Sequence, residues 1–143
     1  MQYTLSGLHL TEQFESCRLK AYPDSKGVWT CGWGHTSGVT PTTTCTQQQA
    51  DAWLMEDVQV AVRAVNAYVK VTLTQDEFNA LTDFCFNAGC HAFFCSTMLT
   101  LLNQGNYSAA AAQFIRWDKC GGVELAGLLR RRQAEMQEFM GHG

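Results

Sequence analysis

The chain has 143 residues, enough for one substantial core and too few for two independent ones. Apolar residues make up 46% and charged residues 16%, which excludes disordered and collagen-like classes. A formal charge of −3 supplies no basic field for nucleic acid, and no run reaches the roughly 18 apolar residues that a membrane span needs.

The opening MQYTLSGLHLTEQF lacks a basic start followed by an apolar core, so no export signal is read and the chain as written is expected to be soluble. Leu5, Leu8, Thr11 and Phe14 recur at helical spacing behind Ser6, a candidate N-cap, and predict a short helix ending near Glu15. Arg18 to Tyr22 alternates, PDSKG supplies turn residues, and VWTCGW resumes a stretch rich in β-formers; this is the pattern of a hairpin. Asp24 then lies in the turn and Thr30 on the returning strand.

Thr46 and Gln49 fit a capping box, and a stripe from Ala50 through Trp53, Asp57, Ala61 and Val65 to Tyr68 predicts one long helix over about 47–69. Thr74 and Glu77 repeat the signature before Phe78, Leu81, Phe84 and Ala88, with Gly89 as the stop. Ser96, Ser108 and the pair Gly121 and Gly122 introduce three more helices, so the second half is expected to be wholly helical. The simplest arrangement is α+β and mainly α: a small β-hairpin lobe and a larger helical lobe joined by the long helix.

Seven cysteines, at 17, 31, 45, 85, 90, 95 and 120, cannot all pair within one chain. Burial as small apolar groups is their default role. Cys85, Cys90, His91 and Cys95 lack a C-x2-C pair, so no metal is expected. Arg130 to Arg132 form a charge run that reads as a solvated face of the last helix, with contact to an anionic partner or a salt bridge to Glu15 as the sharper alternative. Trp29 and Trp33 flank Thr30 and suit either sugar stacking or the lobe's interior.

Cleaving a glycosidic bond needs a proton for the departing oxygen and either an activated water or a carboxylate nucleophile. Glu15 at a helix end beside Phe14 and Asp24 in a polar turn stand in opposed environments, which suits one for acid and the other for base work. Thr30 offers a hydroxyl to hold a water beside Asp24.

Glu15, eight residues, Asp24, five residues and Thr30 lie within FESCRLKAYPDSKGVWTCGWGHT, which resembles the first motif of the phage-type lysozymes, or endolysins, of glycoside hydrolase family 24. FCFNAG at 84–89, STMLTLLNQGNYSAAAAQFIRW at 96–117 and GLLRRRQAE at 127–135 are similar to that family's later motifs in the same order. The resemblance implies a lysozyme-like fold in one catalytic domain over 1–143. Its β lobe would cover about 16–45, its connecting helix about 47–69 and its helical lobe about 1–15 and 70–143, with a cleft between the lobes.

It further implies hydrolysis of the β-1,4 bond between N-acetylmuramic acid and N-acetylglucosamine in bacterial peptidoglycan, leading to host lysis. Glu15 would be the acid, Asp24 the base and Thr30 the positioner of the water, with inversion expected. Thr36, Phe86, Asn87 and Gln113 would line the cleft, and His35 would pair with Asp57 to tie hairpin to helix. No cofactor is implied. A monomer is expected, held in the host cytoplasm until release, dependent on a phage holin and acting on the periplasmic wall. Some relatives carry a removable N-terminal membrane anchor and gate their activity by cysteine pairing; for this chain the expectation is either that such an anchor has been removed or that this redox control does not apply. A lytic transglycosylase and a non-catalytic wall-binding protein are the alternatives.

Overall fold

A computed structural model describes residues 1–120 and 123–141, with the backbone alone at 119, 120, 123 and 124. The expected Gly121 and Gly122 break and the side chain of Cys120 lie outside the described residues. The fold is mostly helical with small antiparallel sheets. Two compact units form, Thr11–Gln59 and Met1–Leu10 with Val60–Gly143. Glu15, expected with the helical part, thus belongs to the smaller unit.

Helix α1 (Leu5–Phe14) starts two residues earlier than Ser6 as a cap would place it. The Leu8 N–H bonds the Thr4 carbonyl at 2.9 Å, so Thr4 occupies the capping position. The Ser6 hydroxyl instead donates to Glu138 Oε1 at 3.3 Å, a partner 132 residues away that no local rule could supply.

In the smaller unit, β1 (Arg18–Pro23) and β2 (Trp29–Gly32) pair antiparallel, Tyr22 opposite Thr30 and Arg18 opposite Gly32, with a bulge between. Residues 43–45 run along the other edge of β1, through Ala21 N–H to Thr43 and Cys45 N–H to Leu19, both 2.9 Å. Helix α2 (Gln47–Asp57) is capped by the Thr46 hydroxyl, which accepts from the Gln49 N–H at 3.1 Å. It packs on β2, where Gly32 approaches Ala50 so closely that a Cβ would stand 3.1 Å from the Ala50 Cβ.

The long helix expected over 47–69 is two helices, α2 and α3 (Gln59–Tyr68), parted at Val58. The Gln59 side-chain amide reaches back to the Met55 carbonyl at 3.1 Å. A continuing helix would offer that acceptor to the Gln59 N–H, and a side chain inserted into the ladder is a recognised cause of a break.

The larger unit is built on α4 (Gln75–Ala88), whose capping box is complete: Thr74 Oγ1 accepts from Glu77 N–H and Glu77 Oε1 from Thr74 N–H. Phe78, Leu81 and Phe84 are fully buried, each contributing about 1.5–3 kcal/mol by leaving water. Phe84 meets Phe93, Phe114 and Trp117 edge-on at 6.2, 5.8 and 5.3 Å, the arrangement that ring quadrupoles favour.

A short α5 (Cys90–Phe94), not foreseen from the periodicity, follows Gly89, whose φ of 108° lets the chain turn between the helices. Helix α6 (Thr97–Asn103) begins under Ser96, which accepts from Leu99 N–H at 3.1 Å. Helix α7 (Tyr107–Gln113) is capped by Asn106 and not by Ser108, because the Asn106 amide oxygen already takes the Ala109 N–H at 3.3 Å. A 3₁₀ turn (Phe114–Arg116) and a two-residue ladder of β3 (Lys119–Cys120) and β4 (Val123–Glu124) precede α8 (Ala126–Phe139), so the second half is not wholly helical.

The arginine run departs most from expectation. Arg130 is exposed, while Arg131 and Arg132 are buried. Arg131 forms a fork with buried Asp83 on α4, Nε at 3.0 Å and Nη2 at 2.8 Å. Arg132 Nη1 donates to Glu135 Oε1 at 2.7 Å, and its guanidinium lies over the Phe84 ring at 4.9 Å. These charges fasten α8 to α4 and do not form a solvated face. Among the described residues, no helix is long and apolar enough to cross a membrane.

Candidate active site

Glu15 closes the last turn of α1 through its N–H, which bonds the Thr11 carbonyl at 3.1 Å. Its side chain is half-buried, at the end of the helix where the terminal carbonyls gather. Three residues later β1 begins, so helix end and hairpin are joined by a link too short to let the glutamate wander.

Asp24 builds the turn it occupies. Its N–H donates to the Val28 carbonyl and its carbonyl accepts from Gly27 N–H, both at 2.9 Å. Its Oδ1 accepts the N–H groups of Lys26 at 2.8 Å and Val28 at 2.9 Å. Aspartate folds such turns because its short side chain reaches the backbone two residues on, and Gly27, with φ 81°, takes the conformation other residues resist. Oδ1 being engaged, Oδ2 is the oxygen left for a water.

Thr30 lies on β2, only 3% exposed. Its Oγ1 donates to the Val28 carbonyl at 2.9 Å, so the hydroxyl proton is committed and the lone pairs are what remains for a ligand. Val28 therefore ties the two groups together, giving its N–H to Asp24 and its carbonyl to Thr30.

Beyond β2 the chain turns tightly, Cys31 and His35 exchanging backbone hydrogen bonds at 2.9 and 3.0 Å. His35 Nδ1 lies 2.9 Å from Asp57 Oδ2, and its ring stacks on Trp53 at 4.4 Å with 10° between planes. Trp33 Nε1 donates to Asp51 Oδ1 at 2.8 Å. These contacts hang the end of the hairpin on α2. One face of the His35 ring is thus covered by Trp53 and its Nδ1 edge is paired with Asp57, and the residue is only slightly exposed. Asp51 was not singled out by sequence reasoning, and Trp53 was read only as core; a tryptophan and two carboxylates on one helix beside a strand carrying Trp33 and His35 were the available signal.

Glu15, Asp24, Thr30, His35, Thr36 and Asp57 all belong to the smaller unit, Thr36 exposed. Phe86, Asn87 and Gln113 belong to the larger one, Phe86 and Gln113 half-buried and Asn87 exposed. Asn87 Oδ1 accepts from Arg132 Nη2, so the buried arginine sets the orientation of an exposed amide. Among the described residues, no group of three or more His, Cys, Asp and Glu is arranged to hold a metal ion.

Comparison with known proteins fixes the class. The muramidase domain of SpmX from Asticaccaulis excentricus superposes with a TM-score of 0.91 at 36% identity, covering 97% of each chain. The class is that of the lysozyme-type glycoside hydrolases. An endolysin of Acyrthosiphon pisum secondary endosymbiont phage 1 is 41% identical over 97% of this chain and 98% of its own length. One from Bacillus phage PZA is 43% identical over 97% of this chain, which spans 55% of that longer relative. Residues 12–135 match the model of the phage lysozyme family, and the chain belongs to that family.

Proposed function

We propose that the chain is a peptidoglycan hydrolase that cleaves the β-1,4 bond between N-acetylmuramic acid and N-acetylglucosamine by general acid and base catalysis. Glu15 gives its proton to the departing glycosidic oxygen. Asp24, through Oδ2, takes a proton from the attacking water, and Thr30 holds that water by accepting its second hydrogen. A water attacking opposite the leaving group inverts the anomeric carbon, which needs carboxyl groups about 6.5–9.5 Å apart. Thr36, Phe86, Asn87 and Gln113 contact the sugars, and His35 with Asp57 keeps the hairpin in place.

The observation that carries this reading is the Val28 backbone, which holds an aspartate through its N–H and a threonine through its carbonyl, in a chain of the phage lysozyme family. The enzyme acts on the bacterial wall as a monomer, waits in the host cytoplasm and reaches its substrate through a holin.

Glu15→Gln keeps the shape of the acid and removes its proton. Clearing of outer-membrane-permeabilised bacteria should cease with the thermal transition unchanged; full lysis by this variant refutes the assignment. Mass spectrometry of the released fragments should show hydrated reducing ends. Anhydro sugars would identify a lytic transglycosylase, and wall binding without cleavage by the parent chain a non-catalytic protein.

A further inference from the structure

Three cysteines crowd the smaller unit: Cys17 just after Glu15, Cys31 just after Thr30, and Cys45 just before α2. Cys31 is fully buried, and its Sγ lies 3.4 Å from Cys45 Sγ. A regular sheet forbids this meeting. Cys31 is on β2 and Cys45 on the segment along the opposite edge of β1, and second-neighbour strands stand about 10 Å apart, beyond the about 7 Å that a disulfide spans between Cα atoms.

The bulge between Arg18 and Tyr22 removes the obstacle. Where the register slips, β1 bends and twists more strongly, and the flanking segments curl toward each other beneath it. Cys31 Sγ also touches the Arg18 carbonyl at 3.7 Å, so the thiol reaches under the bulged strand toward Cys45. Bonding requires the sulfurs to close by about 1.4 Å, from the observed 3.4 Å to the ordinary bond length, which is within the reach of side-chain rotation. Cys17 is engaged elsewhere: its Sγ donates to Gln47 Oε1 at 3.8 Å and accepts from Gln47 Nε2 at 3.7 Å.

We propose that Cys31 and Cys45 form a site of thiol–disulfide exchange, joined when the folded chain meets a small disulfide donor. Cys31 is inaccessible, so half-buried Cys45 reacts first. Its thiolate attacks one donor sulfur and expels the other half as a thiolate, leaving a mixed disulfide. Cys31, deprotonated, then attacks Cys45 Sγ and expels the second half. Two cysteine thiols are oxidised, one donor disulfide is reduced to two thiols, and the two cysteine protons go to those thiols. Burial, with Cys31 alongside, pushes the Cys45 thiol up to about 11, so the exchange is slow at neutral pH and quickens as pH rises.

The bond closes a loop from 31 to 45 and fastens the strand that carries Thr30 to the entry of α2. It needs no catalytic role for Thr30, and its test does not depend on activity.

The reduced full-length chain is incubated without denaturant in oxidised glutathione over a range of redox ratios at pH 8, alkylated, digested and mapped by mass spectrometry. The expected product is lighter by two hydrogen atoms, carries a Cys31–Cys45 peptide pair, and melts about 5–10 °C above the reduced chain. Cys45→Ala, and equally Cys45→Ser, should abolish both signals, and Cys95→Ala should keep both. Cys31 found alkylated at every redox ratio, bonded to Cys17, or left beside a stable glutathione adduct on Cys45 would overturn the proposal.

Discussion

Replacing Asp83 by asparagine keeps the shape of the side chain and removes its charge. The carboxylate takes two guanidinium N–H groups of Arg131, at 3.0 and 2.8 Å, and the two side chains are 0% and 4% exposed. An amide can accept only one of those bonds, and its NH₂ then faces donors. Glu135 Oε2, 3.8 Å from Arg131 Nε, is too far to take up the lost hydrogen bond. Breaking a buried pair in this way costs about 3–5 kcal/mol, since it takes from a desolvated guanidinium the carboxylate that holds it by two hydrogen bonds. An unfolding entropy of about 2.1 cal/mol/K per residue gives about 0.3 kcal/mol/K for 143 residues, so the melting temperature should fall by about 10–17 °C.

The assay is urea unfolding and thermal melting of the parent chain, Asp83→Asn, Arg131→Met and the double variant Asp83→Leu with Arg131→Met. The double variant should recover most of the loss, because an apolar pair of similar volume carries no desolvation penalty. A loss below about 1 kcal/mol in Asp83→Asn would refute the reasoning, since it would mean that the arginine reaches water or another anion at little cost.

On the role proposed for Thr30, Thr30→Val preserves the strand's packing but removes the oxygen assigned to the water; turnover should fall by about 10²-fold with the melting temperature nearly unchanged, and Thr30→Ser should restore much of it, as measured by release of reducing ends. Gly32→Ala meets both a φ of 69° and the Ala50 Cβ at 3.1 Å, so a destabilisation of about 1–3 kcal/mol is expected in urea unfolding, and none would show that α2 moves aside freely. The Glu138 carboxyl is raised by burial and by Asp76 nearby, despite the Ser6 hydroxyl that lowers it. The folded chain therefore binds this proton more tightly than the unfolded one; stability from this group is full below the ordinary value of 4.5 and is lost as pH rises through the folded value. Glu138→Gln should flatten that part of the pH–stability curve, and parallel curves would contradict it.

Much of the site was legible because its bonds are local. Aspartate in PDSKG bonds N–H groups two and four residues on, and a capping threonine or serine bonds the N–H three residues on, so Thr74 and Ser96 could be read directly. Even local rules falter where candidates compete. Ser6 and Ser108 lost the caps to Thr4 and Asn106, because a hydroxyl within a few residues of a helix start has several partners to choose among. Arg131 was misread for a stronger reason: a charge run signals solvent unless a counterion is supplied from far along the chain, and Asp83 is 48 residues away; Arg132 has its counterion Glu135 close by in sequence, but the Phe84 ring it lies against is supplied by α4.

By itself the order of residues determined the hairpin, the principal caps and the spacing of Glu15, Asp24 and Thr30, since each depends on groups a few bonds apart along the backbone. Tertiary structure alone decided that two arginines are buried and that Cys31 meets Cys45 beneath a bulge. Those outcomes turn on desolvation and on contacts between distant segments. Their free energy exists only once the chain has closed on itself, so no window of sequence contains it.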